Sequence, residues 1–189
     1  ASFDASGRAV RLTGTHTDIT VRRQAERLEQ FRSQILELLT RESSLTDVLR
    51  TMVQGIEQLH PEMLGSVLLV DAEGRHLGQG IAPSLPDFYN EAIDGVVIAP
   101  GVGSCSAAAY GGERVIVEDI QSHPNWALYK ELAGRAGLAA CWSQPIIGTT
   151  GLVLGTFAIY HRVVRAPDTT DIALIEELAR LASIAIERV

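Results

Sequence analysis

Residues 138–160 read LAACWSQPIIGTTGLVLGTFAIY. Two apolar runs, 138–146 (LAACWSQPI) and 151–160 (GLVLGTFAIY), flank a turn rich in Gly148, Thr149, Thr150 and Gly151. β-Branched and aromatic residues on both sides of such a turn predict an antiparallel hairpin. Side chains alternate across a strand. Cys141, Ser143 and Pro145 therefore share one face of the first run, and Trp142, Gln144 and Ile146 the other. Alternation alone leaves open which face meets a binding pocket.

Further strand patterns lie upstream. Residues 64–70 (LGSVLLV) and 75–82 (RHLGQGIA) flank a turn at 71–74 and form a second hairpin, and 114–119 (RVIVED) is another strand. Ser44 caps a helix over 45–59, where Leu45, Val48, Leu49, Met52, Ile56 and Leu59 fall on one face. A helix opens at Pro124, with Ser122 as its cap, and ends near Gly134. Residues 168–189 close the chain as a helix with a seam at Ile175, Leu178, Ala182, Ala185 and Val189. The order is helix, several antiparallel strands with short helices between them, helix. The expected fold class is α+β: a central antiparallel β-sheet with the long first and last helices packed side by side on one face.

The first long helix spans 19–40. Its apolar stripe runs through Val21, Ala25, Leu28, Phe31, Ile35 and Leu38 or Leu39, a spacing near the 3.5 residues of a coiled coil. Two readings are open: a seam shared with a second chain, or a helix packed only on its own domain. Taken as a dimer seam, the contacts would be Leu28 and Ile35 on this helix and Leu178 and Ala182 on the last. Before it, 9–17 (AVRLTGTHT) alternates like a strand after a turn at 4–7. One strand cannot stand alone. Its partner is expected outside this sequence or in a second copy of it.

Composition excludes several classes. The 189 residues are 46% hydrophobic and 21% charged, with a net charge of −7 and Lys130 as the sole lysine. No basic stripe is available for a phosphate backbone, so no direct nucleic-acid partner is expected. No apolar run is long enough to span a bilayer and no signal peptide opens the sequence, so no membrane contact is expected. The two cysteines, Cys105 and Cys141, cannot build a disulfide framework, which fits a cytoplasmic location. The histidines are scattered. Glu57 with His60, and Asp119 with His123, have helical spacing but no third ligand, so no metal site is assigned.

Residues 101–112 (GVGSCSAAAYGG) are the candidate site. They lack the third glycine of a dinucleotide fingerprint and the Gly-Lys-Ser/Thr of a phosphate loop. Ser104 and Cys105 start a helix that ends at Gly111 and Gly112, which places the thiol near a helix N-terminus, where thiolate is favoured. Small residues also let a backbone approach a ligand closely. A nucleophile and a pocket rim both remain open on these residues.

Two local patterns resemble known families. Asp18, Ile19 and Thr20, followed by Arg22, Arg23 and Glu26, resemble the exit of a PAS domain into a signalling helix. The rest resembles a GAF domain, through Gly101, Val102, Gly103, Ser104 and Cys105, the run VIVEDI at 115–120, Pro124 and Trp126, Gly137 and Leu138 to Pro145 and Ile146, and GLVLGTF at 151–157. The implied layout is a terminal PAS strand over 1–18, a linker helix over 19–41 and a GAF domain over 42–189. GAF domains are small-molecule sensors and dimerisation modules. The pairing resembles the sensory front of a bacterial signalling protein, whose output is a cyclic-di-GMP cyclase or phosphodiesterase, or a histidine kinase.

The resemblance places the ligand between the sheet and the helix–loop face. The expected pocket residues are Ser66, Leu68, Gly103, Ser104, Cys105, Trp126, Cys141, Ser143 and Phe157, with Trp126 either anchoring its helix or closing over the ligand. No cofactor is assigned. Bilin-binding relatives carry histidine after the attachment cysteine, whereas here Trp142 follows Cys141 and Ser106 follows Cys105. The expected function is a non-catalytic sensory and dimerisation module. A cysteine-based redox sensor, or an enzyme like the free methionine sulfoxide reductases, is the alternative. Those reductases use a cysteine in the loop matching 123–130, where this chain has none. A GAF domain that binds nothing and only dimerises is the third reading.

Overall fold

The computed structural model describes residues 2–3, 6, 9–11, 20–41 and 43–188. A short hairpin pairs β1 (Ser2–Phe3) with β2 (Ala9–Arg11). The helices α1 (Thr20–Thr40) and α2 (Leu45–Leu59) follow. The strands of the main sheet are β3 (Leu64–Val70), β4 (His76–Ile81), β5 (Val96–Val97), β6 (Val115–Val117), β7 (Ala140–Ile147) and β8 (Val153–His161). They pair antiparallel in the order β5-β4-β3-β8-β7-β6. Between them lie α3 (Asp87–Ile93), α4 (Gly103–Gly111), a 3-10 turn (Pro124–Trp126) and α5 (Lys130–Arg135), and α6 (Thr169–Glu187) closes the fold.

Side-chain parity divides the interior in two. Phe157 and Ile159 on β8, Trp142 on β7 and Val67 on β3 pack against α1, α2 and α6. Their sequence neighbours Ala158, Tyr160, Cys141 and Leu68 face the opposite way, into a second core with α3, α4 and α5. This is the expected α+β sheet with its long helices on one face. Helix ends follow local chemistry. Ser44 Oγ accepts from Asp47 N–H, and Asp168 and Asp171 form a reciprocal capping box at the start of α6.

Two glycines permit close approaches. A Cβ on Gly55 of α2 would lie 2.1 Å from Phe31 Cε2 of α1, and one on Gly155 of β8 only 2.3 Å from the Leu68 carbonyl oxygen. The last turn of α6 is a junction. Arg188 donates to the Leu38, Leu39 and Arg41 carbonyls at the end of α1. Its neighbour Glu187 accepts from Thr149 N–H at 2.7 Å and from Thr149 Oγ1 at 2.8 Å, in the β7–β8 turn.

Three expectations change, and one segment gains structure that no expectation covered. The helical seam faces inward: Ile35, Leu178 and Ala182 are buried in the chain's own core, and Leu28 packs against it. An apolar stripe supplies one contact surface, and here the sheet and α2 use it, so Ile35, Leu178 and Ala182 are not on the surface. The strand at 9–11 pairs with Ser2 and Phe3 of the same chain. Residues 12–17, and Asp18 and Ile19 of the PAS-like exit, lie outside the described residues. The helix expected from Pro124 is two pieces, and His123, not Ser122, caps the first by accepting from Asn125 N–H at 3.2 Å. Finally, 87–97 folds as α3 and β5, elements too short for periodicity to show.

Candidate functional site

Gly101 and Gly103 take positive φ, 75° and 60°, and turn the chain into α4. Small side chains follow, so α4 sits tight against the sheet, with Ser104, Cys105, Ser106, Ala108 and Ala109 all buried. Hydrogen bonds hold both ends of the site. Trp126 Nε1 donates to Ser104 Oγ at 3.0 Å, and Ser104 Oγ donates to the Cys141 carbonyl at 3.4 Å. Ser106 Oγ donates to the Val97 carbonyl at 2.6 Å and accepts from Ala99 N–H at 2.9 Å, which fastens the β5 loop over α4.

A cavity of about 30 Å3 lies under α4. Leu68 and Tyr160 of the sheet, Tyr89 and Ile93 of α3, and Val96 of β5 line one side. Val102, Gly103, Ser104, Cys105 and Ser106 line the other, with Trp126 and Tyr129 beside them. Tyr89 meets Tyr160 edge-on, with ring centroids 5.9 Å apart. None of the lining residues is an Asp, Glu, Lys, Arg or His. As closed, the space holds roughly two water molecules.

Of the nine expected pocket residues, Leu68, Gly103, Ser104, Cys105 and Trp126 line the cavity. Cys141, Ser143 and Ser66 form the sheet floor: Ser143 and Ser66 both pair with Ala158 on β8, and Cys141 with Tyr160. Phe157 does not join them. It points to the helix layer, because it is one residue out of phase with Ala158. Tyr89, Ile93, Val96, Val102, Ser106, Tyr129 and Tyr160 also line the cavity and are not among the nine. Tyr160 is within reach of the sequence, since it shares the parity of Ala158 and Thr156 on β8, and Val102 and Ser106 lie inside the stretch 101–112. The other four come from segments with no clear period.

The polar groups of the floor surround Cys105. Its thiol lies 3.9 Å from Tyr160 Oη. Ser143 Oγ and Thr156 Oγ1 are completely buried and reach no hydrogen-bond partner, and both act to lower the Cys105 pKa. The Cys105 pKa falls to about 7, chiefly because the Cys141 thiol donates toward it, against the opposing effect of burial. Burial pushes Cys141, Tyr89 and Tyr160 well up. Among the described residues, no cluster of three or more metal-ligating side chains occurs, and no helix is long and apolar enough to cross a membrane.

A six-stranded antiparallel sheet between two helical layers, with a small cavity beneath a glycine-led helix, defines a sensory domain of the GAF type. The chain belongs to the GAF domain family, whose model matches residues 42–187. It is 39% identical over 176 residues to the methyl sulfide methyltransferase-associated sensor of the archaeon Methanosarcina acetivorans. That alignment covers 93% of this chain but only 18% of the relative. A bacterial setting was expected, whereas this relative is archaeal. Among solved structures, a domain of a methyl-accepting chemotaxis protein superposes with TM-score 0.66 at 23% identity, covering 84% of this chain and 95% of that one. The free methionine-R-sulfoxide reductase of Neisseria meningitidis superposes with TM-score 0.65 at 19% identity, covering 94% and 95%. At these identities the two structures share the fold.

Proposed function

We propose that this chain is a non-catalytic sensory module that binds a small neutral molecule between α4 and the sheet. The observation that carries the reading is the uncharged, aromatic-rich lining of the cavity, closed by the bond from Trp126 to Ser104. The space as closed is smaller than most metabolites, so binding opens α3 and α4 away from the sheet. The difference in affinity between the closed and open forms sets how far the equilibrium moves. The change passes to α1 and α6 and on to an output domain outside this sequence, a cyclic-di-GMP cyclase or phosphodiesterase or a histidine kinase. The layout of a PAS strand over 1–18, a linker helix over 19–41 and a GAF domain over 42–189 belongs to the same reading, as does a cytoplasmic setting.

Pairing with a second copy is also part of it. Its contact moves outward from the buried seam to Leu36 on α1 and Ile184 on α6, which are 51% and 44% exposed. The test is native mass spectrometry of the purified chain. A retained mass that leaves on denaturation, and is absent from a Val96→Trp variant, supports the reading. A bare polypeptide mass from cells in which the full-length protein signals argues against ligand retention.

A further inference from the structure

We propose that Cys105 and Cys141 form a peroxide-reactive dithiol, in which a hydroperoxide admitted to the cavity oxidises Cys105 and Cys141 then closes a disulfide between α4 and β7. This goes beyond ligand sensing and does not depend on it. Four observations carry it. Cys105 lines the cavity, whereas Cys141 lies behind it in the floor, completely buried. That order suits a first thiol that meets the oxidant and a second that meets only the first. The cavity has room for roughly two waters, enough for hydrogen peroxide and too little for a bulky oxidant. Apart from Cys105, the residues that line it include no Asp, Glu, Lys, Arg or His to compete for the oxidant.

The surroundings of Cys105 provide the fourth observation. Ser143 Oγ and Thr156 Oγ1 are buried hydroxyls without a partner on the same floor, Tyr160 Oη lies 3.9 Å from the sulfur, and Cys141 stands opposite Tyr160 in the ladder with its carbonyl bonded by Ser104, the neighbour of Cys105. Buried hydroxyls left unpaired are costly. A sulfur anion gives them something to donate to. Cys105 is also the third residue of α4, where the free N–H groups of the first turn favour negative charge. No charged side chain is among the groups that shift its pKa.

The chemistry balances. The Cys105 thiolate attacks the peroxide, an S–O bond forms and the O–O bond breaks. Two electrons pass from sulfur to oxygen. The leaving alkoxide or hydroxide takes a proton from solvent, and Cys105 becomes a sulfenic acid. The Cys141 sulfur then attacks the Cys105 sulfur. The S–S bond forms, the S–O bond breaks, and the departing hydroxide takes the Cys141 proton and leaves as water. The product ties α4 covalently to β7.

Hydrogen peroxide is the probe, added to the folded chain with free thiols and intact mass followed in time. The wild type is expected to lose both thiols together and regain them with a dithiol reductant. Cys141→Ser is expected to stop at a sulfenic acid trapped by dimedone at Cys105. Cys105→Ser is expected to leave Cys141 reduced. Thiols that survive peroxide levels at which free cysteine reacts overturn the proposal, as does oxidation of Cys141 at an unchanged rate in Cys105→Ser. The wild type supplies a readout that needs no variant. Its oxidation rate is expected to fall about tenfold per pH unit below about 7, as the thiolate is lost, and a rate independent of pH overturns the assignment.

Discussion

Trp126 hands its indole N–H to Ser104, whose own hydroxyl proton goes on to the Cys141 carbonyl. Trp126→Phe removes one donor and also shrinks a buried side chain, at a cost of about 2 kcal/mol. Ser104→Ala strands a buried indole N–H and is expected to cost about 2 kcal/mol. Urea unfolding of both variants and of the double variant checks the coupling, since the two losses are expected to sum to more than the double variant loses. Losses that simply add would contradict the relay.

Gly55→Ala sets helix propensity against packing. Alanine favours a helix by about 1 kcal/mol over glycine. The new methyl group, however, would occupy the place of the Phe31 ring, which is buried between α1 and α2. Overpacking of this kind costs about 2 kcal/mol and is expected to prevail. Thermal unfolding of Gly55→Ala, alone and with Phe31→Leu, checks this. The second substitution is expected to recover part of the loss.

Leu178 and Ile184 lie on one helix but have different surroundings. Leu178 is buried in the core, whereas Ile184 is 44% exposed. Leu178→Ala is expected to lower the unfolding free energy by about 3 kcal/mol at every protein concentration. Leu36→Glu with Ile184→Glu is expected to leave the stability of the folded chain within about 0.5 kcal/mol and to separate paired copies. Sedimentation velocity beside denaturant unfolding distinguishes the two effects. An unchanged dimer in the double variant would exclude this face.

His161 predicts a pH dependence. Its ring lies against Trp142, with centroids 4.3 Å apart, and its Nε2 is buried without a partner. Burial lowers its pKa, and Arg165 adds to the effect against Asp171 and Glu62. The unfolded chain therefore takes up the proton first, near the ordinary value of 6.5. The contribution of His161 is full above that value and is lost as pH falls from it toward the lower folded pKa. Denaturant midpoints across this range are expected to slope less in His161→Asn than in the wild type.

Elements long enough to show a period were readable in the sequence. The β7–β8 hairpin, α2, α6 and the turn into α4 all stand close to where their patterns put them. The segment 87–97 was silent because seven helical residues and a two-residue strand cannot display a period, and Tyr89, Ile93 and Val96 were lost with it. Phe157 was misassigned for a different reason. A buried strand is apolar on both faces, so its composition does not tell the helix side from the cavity side. The stripe on α1 and α6 was ambiguous in the same way: a heptad-like spacing marks a face to be covered without naming the partner.

Arg188 and Glu187 make the end of α6 a shared hinge pin. One guanidinium holds carbonyls at the end of α1, and the adjacent carboxylate holds the backbone of the β7–β8 turn. A shift of α1 therefore has a route to the end of α6 that bypasses the sheet. Displacement of the β-hairpin arrives at the same turn of helix. Two consecutive residues thus tie three separate elements to a single point, and none of the three can move far without straining the bonds of the other two.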